Sequence, residues 1–206
     1  MTREELLQDL AYARTLAEEG RHAPLLGGAY LCFWGVLNAV AFTAHWGVLE
    51  GYIPFADGAG FAAVWISYGV IAGVGSFLLG QRTRQKPGLT TIGVRAESAI
   101  WRGAALAVLA VVIGSLMRMI IADDPTAPNA IFGAAFALYG AALFGTAKLS
   151  QQSWLAGFAW LSFAVAFTLC LFANQSWAYL NAAVGSLLVL LAPGLVLLRR
   201  EPASVV

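Results

Sequence analysis

Residues 99–121 read AIWRGAALAVLAVVIGSLMRMII, with no charged side chain between Arg102 and Arg118. A hydrocarbon core takes roughly 17 to 25 apolar residues as helix, so this run is long enough to cross one. It shows no alternation of apolar and polar residues, which a barrel strand would need. Lipid offers no partner to unpaired backbone groups, and α-helix is therefore the spanning form that fits.

Five further stretches have the same character: 25–49, 61–80, 129–149, 154–172 and 177–198. The whole chain of 206 residues is 60% hydrophobic and 11% charged, and 13 of its 23 formal charges fall in 1–24 and 81–98. Too few charges remain to solvate a soluble domain of this size. The expected fold class is all-α: a polytopic membrane protein with six transmembrane helices arranged as three hairpins. Segment 1–24 is expected to be cytoplasmic, 25–198 to form the bundle, and 199–206 to be a cytoplasmic tail. Residues 1–24 carry Arg3, Arg14 and Arg21 with five acids and no apolar core, so no cleavable signal is expected there.

Orientation follows from the cations, because Lys and Arg near helix ends resist translocation. Arg3, Arg14, Arg21, Arg82, Arg84, Lys86, Arg95, Arg102, Lys148, Arg199 and Arg200 share one side of a six-span threading, and Arg118 alone falls on the other. Five or seven spans would put Arg199 and Arg200 on the wrong side. Both termini are therefore expected in the cytoplasm, in a bacterial-type inner membrane. The outer side holds Glu50, Asp57, Asp123 and Asp124. Trp46, Trp65 and Trp177 fall near outer helix ends and Trp101 and Trp154 near inner ends, as indole prefers the headgroup level. Trp34 and Trp160 lie deeper and are expected to pack between helices.

Three hairpins run from Trp34 to Arg82, Trp101 to Lys148 and Trp154 to Arg199, a layout compatible with a repeated two-helix unit. Helices in lipid associate by close backbone approach, which small residues allow. The fourth span carries Gly133, Ala137, Ala141 and Gly145 in one row. The first has Gly35, Ala39, Thr43 and Gly47; the second has Gly69 and Gly73, with Ala72, Ser76 and Gly80 beside them. These three helices are expected to form the centre of the bundle, and the rows are also where a homo-oligomer would pack.

Polar groups at membrane depth cost free energy and mark candidate sites. Asn38 and Asn181 are the mid-membrane amides. His45, Glu50, Arg118, Asp123 and Asp124 form the expected outer polar cluster, able in principle to sense protons through the imidazole or hold an anion on the guanidinium. The structural alternative, which weighs more, has Arg118 snorkelling outward to Asp123 and Asp124 while His45 is satisfied by Glu50 or a carbonyl. Pro193-Gly194 interrupts the last span and frees the carbonyl of Val189, which reads as a static kink.

No catalytic residue, cofactor or metal site is expected. The serines of Gly75-Ser76, Gly114-Ser115 and Gly185-Ser186 lack a nucleophile context, and His22 and His45 fall on opposite sides, which rules out paired haem ligands. There is no HExxH and no phosphate-cradling glycine loop. Cys32 and Cys170 sit roughly 15 to 20 Å apart in depth at 1.5 Å per residue, too far for a disulfide, and read as small core residues.

Residues 3–19 read as a helix with Thr2 as cap, Leu6, Leu10, Ala13 and Ala17 on one face, and Gly20 as its end. Its acidic side disfavours an anionic leaflet, so it should dock on the bundle or on a cytosolic partner. The basic loop with Arg82, Arg84, Lys86 and Arg95 is the matching contact for that helix, for membrane lipids or for a protein partner. The function expected is that of a small accessory or regulatory membrane protein without catalysis, working through its cytoplasmic face. The alternative is a small oligomeric channel or transporter using the His45 and Arg118 cluster. Nothing points to nucleic acid.

Overall fold

The computed structural model describes residues 5–12, 27–54, 59–84 and 92–200. It is all helical. Residues 5–12 form a short helix, α1, whose side chains are exposed. Six helices long and apolar enough to cross a membrane follow: α2 (Gly28–Leu49), α3 (Ala59–Thr83), α4 (Ile92–Ile121), α5 (Ala130–Leu149), α6 (Ser153–Leu171) and α7 (Trp177–Arg200). The fold thus defines a multi-pass membrane protein. Of the expected N-terminal helix, Thr2, Ala13, Ala17 and Gly20 lie outside the described residues, as do Lys86, Asp57 and the tail beyond Arg200.

The helix bounds fall within three residues of the ends of the apolar runs, except at the start of α4. Helix α4 starts at Ile92, seven residues before the apolar run. Hydropathy marks where lipid begins, whereas the hydrogen-bond ladder continues into the headgroup layer. Arg95, expected in a loop, therefore lies in the second turn of α4, where it is exposed.

The six spans are not equivalent. Half of the most apolar window of α5 and of α7 is buried, and 44% of that of α2, against 6% for α3 and none for α4. Helices α2, α5, α6 and α7 make the core, α3 lies against α2, and α4 lies against α5. The most extensive packing joins α5 to α6 and α2 to the whole length of α7, rather than α6 to α7. The expected centre of first, second and fourth spans is corrected accordingly: α3 is peripheral, and α6 and α7 take its place.

Two devices hold this core. Where α2 meets α7, glycine lets the backbones approach: a Cβ on Gly35 would come within 2.6 Å of the Leu191 nitrogen, one on Gly28 within 2.8 Å of the Leu198 nitrogen, and one on Gly194 within 2.8 Å of the Cys32 nitrogen. The α7 side of that contact is a π-helical turn, Leu187–Leu191, immediately before Pro193. Proline has no N–H to give to residue 189, and a widened turn absorbs the missing bond without breaking the helix. The expected kink is thus a π-turn seated on α2. The second device is polar: buried Ser162 donates to the Phe136 carbonyl at 2.6 Å, pinning α6 to α5, and Asn181 donates to Thr168 Oγ1 at 2.7 Å, pinning α7 to α6.

Glycine spacing identified some packing positions and missed the face of others. On α5, Gly133 lies against Cys170 and Gly140 against Phe163, both on α6, and Gly145 against Ile100 of α4. Ala137 and Ala141, expected in the same row, are exposed; the buried face runs through Phe132, Phe136, Gly140, Leu143 and Ala147 instead. On α3, Gly69 and Gly73 face open space, while neighbouring Ala72 is buried and Gly75 meets the Phe33 ring. Trp160 is 65% exposed, so it faces the surroundings rather than packing between helices as expected. Cys170 is likewise exposed, at the rim of the α5–α6 contact.

Candidate functional site

The spans alternate in direction, so one end of the bundle carries Arg82, Arg84, Arg95, Arg102, Lys148, Arg199 and Arg200, and the other carries Arg118, Glu50, Asp123 and Asp124. Chemistry-bearing residues gather at both.

At the acidic end the expected cluster divides into two. Arg118, 69% exposed, pairs with Asp124 at 2.9 Å across the turn that follows α4. That turn is built locally: Asp123 takes a positive φ of 49°, and Asp124 Oδ1 accepts from the Thr126 backbone N–H at 3.0 Å and hydroxyl at 2.7 Å. The Thr126 hydrogen bonds, and then Arg118, hold the Asp124 carboxyl below the usual carboxylate range. Glu50 and Asp123 are exposed beside these turns.

His45 is engaged elsewhere, by rings. The indole N–H of Trp65 on α3 donates to its Nδ1 at 2.9 Å. Tyr179 of α7 stacks on the imidazole at 4.0 Å with an interplanar angle of 15°, and Phe61 approaches to 4.6 Å. Phe132 of α5 stacks on Trp65 and meets Phe42 and Tyr179 edge-on. An Nδ1 that accepts leaves Nε2 to carry the proton, so this arrangement suits a neutral ring. The polar line continues through Tyr179, whose hydroxyl donates to Asn129 Oδ1 at 2.7 Å, and Asn129, which donates to Asn174 at 3.0 Å. Four spans and a loop thus meet around His45. The sequence signal for it was present in Trp65 and Tyr179, but their shared depth does not reveal that their faces converge.

One level deeper, Asn38 is 3% exposed and accepts from the Tyr68 hydroxyl at 2.7 Å, with Tyr139 close to the same amide. It therefore joins α2 to α3 and α5. Asn181 is used within the core, as described above. Both mid-membrane amides are hydrogen-bonded to neighbouring helices.

The basic end is more open. Arg82 and Arg84 are exposed at the end of α3 and Arg95 near the start of α4, and Arg102 is exposed about two turns further along α4. Lys148 lies over the Phe144 ring and Arg200 over the Trp154 ring, at 5.4 and 5.2 Å. Between α2 and α3 an open groove of about 360 Å³ is lined by Phe33, Gly75, Leu78, Leu79, Gln81 and Arg82. At the start of α2, the buried carboxyl of Glu97, from α4, lies against Gly27, where a Cβ would come within 2.8 Å of its Oε1. The charge count of 81–98 includes Glu97 without singling it out; it is buried because that part of the chain belongs to α4 rather than to a loop.

Among the described residues, no group of three His, Cys, Asp or Glu side chains is placed to hold a metal ion. Comparison of the chain with protein families, with curated proteins and with solved structures finds no match. The class that the structure defines is that of an all-helical, multi-pass membrane protein with a four-helix core and two peripheral spans.

Proposed function

We propose that this chain is an accessory or regulatory protein of a bacterial-type inner membrane, without catalytic activity, that engages a protein partner or lipid through its cytoplasmic face. The observation that carries the reading is the exposure of Arg82 and Arg84 at the end of α3 and of Arg95 near the start of α4, the two spans that stand outside the core. The positive-inside bias makes that end cytoplasmic and both termini with it. Core residues there would serve stability; cations held out on peripheral helices are available to anionic groups.

The channel or transporter reading needed His45 and Arg118 in one cluster. Arg118 is spent on Asp124 and His45 on Trp65, and Asn38 is occupied by Tyr68. The accessory reading is therefore preferred. Its test is a full-length protein with Arg82, Arg84, Lys86 and Arg95 changed to Gln, beside one lacking residues 1–20. Both should insert normally, and at least one should lose the partner or anionic lipid that wild type retains on purification. Proton or solute flux through reconstituted wild type, with neither partner nor lipid retained, would overturn it.

A further inference from the structure

The groove between α2 and α3 combines two chemistries in one line. Its deep part is apolar: the Phe33 ring lies over Gly75, and Leu78 and Leu79 form the wall. Its mouth is polar, with Gln81 and the exposed guanidinium of Arg82 in the last turn of α3, and Arg84 just beyond. From Arg82 to Gly75 is seven residues of helix, about 10 Å of depth at 1.5 Å per residue. The groove therefore runs from headgroup level well into the hydrocarbon, and its α3 flank, with Val74, Phe77 and Leu78 exposed, opens sideways toward the lipid.

The two helices that flank it are joined independently of any occupant. The Tyr30 hydroxyl donates to the Ser76 carbonyl at 3.5 Å, and Tyr30 also sits against Gly80, where a Cβ would come within 3.3 Å of its oxygen. These contacts fix α2 and α3 beside each other along the same stretch of α3. Helix α3 has few other attachments, so an occupant seated here would add to the hold of the core on it.

We propose that this groove binds one anionic phospholipid, with an acyl chain along Phe33, Gly75, Leu78 and Leu79 and the phosphate on Arg82 and Gln81. Charge complementarity and depth select the ligand: the cation stands at the level of a lipid phosphate, and only a ligand with an apolar tail uses the 10 Å below it. The inference rests on the proposed role of the basic face and narrows it to a lipid at one place.

Native mass spectrometry of the full-length protein, titrated with phosphatidylglycerol and phosphatidylcholine of identical acyl chains, tests it. Wild type should retain one phosphatidylglycerol in preference to phosphatidylcholine. Arg82→Gln should weaken that retention about fivefold, the effect of one cation at an anionic surface. Leu78→Trp, which fills an exposed wall position, should weaken it by a similar factor, whereas Arg102→Gln should leave it unchanged. Inorganic phosphate and a short-chain glycerophosphate should not compete; if they do, the site binds free phosphate and the lipid proposal falls. Equal losses in Arg82→Gln and Arg102→Gln would mean diffuse attraction and would also overturn it. If Leu78→Trp keeps its lipid while the four-cation variant loses it, the groove is wrong and the basic-face function stands. If wild type retains neither a preferred lipid nor a partner, both fall.

Discussion

In α2, Gly28 and Gly35 lie against the backbone of α7 so closely that no side chain fits; in α3, Gly69 and Gly73 have nothing within 4 Å. Both helices display small residues at regular intervals, and a reading of spacing alone treats them alike. The difference lies in what faces them. Helix α2 meets the backbone of α7 directly, at the π-turn residue Leu191 and at Gly194, and the glycines on either side let the two helices approach. Helix α3 is held through large side chains instead: Trp65 to His45, Tyr68 to Asn38, and Phe33 over Gly75. Glycine thus admits a neighbouring backbone, as at Gly35, or a large side chain, as at Gly140 under Phe163 and Gly75 under Phe33, and spacing alone does not tell which glycines do either.

The comparison is broken most sharply by Gly35→Leu. The new side chain would run into the Leu191 backbone, so the α2–α7 contact should open at a cost of about 3 kcal/mol or more, read as loss of monodisperse protein on size exclusion. Survival of Gly35→Leu with an unchanged melting temperature would mean that this contact is not what holds the core.

Next in size is Asn38→Leu, which removes the buried amide joining Tyr68 to α2. A loss of about 0.6 to 1.7 kcal/mol is expected from transmembrane hydrogen bonds of this kind, measured by unfolding in mixed micelles. Double substitution with Tyr68→Phe should add little, because both changes remove one interaction.

Trp65→Phe should be similar or smaller. It keeps a ring for stacking but deletes the donor to His45, at about 1 kcal/mol, and His45→Ala should abolish the further effect of that change. Additive losses would show that the two residues act separately.

Gly69→Leu and Gly73→Leu form the contrast to Gly35→Leu: each should change stability by less than about 0.5 kcal/mol, since the space is open. A large effect at either position, or a change of oligomeric state, would place a second protomer on α3.

The smallest effect is that of acid on the turn after α4. The Asp124 carboxyl titrates lower in the folded protein than in the unfolded chain, so its contribution is present above the unfolded value and disappears as pH falls through the folded one. Asp124→Asn should flatten the dependence of melting on pH in that acidic window and leave it unchanged near neutrality. An unaltered acid limb in Asp124→Asn would assign it to other carboxylates.

Much of the candidate site was readable in part. Arg118 was recognisable as a snorkelling cation because it sits three residues from its helix end with two acids following. Its pairing with Asp124 needs only local geometry. His45 was singled out for the expense of placing imidazole in a membrane, yet its partners were expected among charged residues at the same depth. Its actual partners, Trp65, Tyr179 and Phe61, share that depth equally well, and nothing in one dimension tells which way each face turns. The α5 row failed for the same reason: Ala137 and Ala141 line up with Gly133 along the helix but point away from α6. Glu97 was missed because hydropathy locates lipid, not the first turn of a helix lying in the headgroup layer.

The sequence by itself determined six apolar helices, because run length against bilayer thickness and the need to pair every backbone group admit no other form. It also located the residues whose burial is expensive, among them Asn38, His45, Asn181 and Arg118. Only the tertiary structure decided which helices are central, which glycines touch a backbone, and which rings surround His45. Lipid and a neighbouring helix are equally apolar, so hydrophobicity cannot distinguish a face that packs from one that is bathed. That choice is made by shape and hydrogen bonding between faces far apart in the chain.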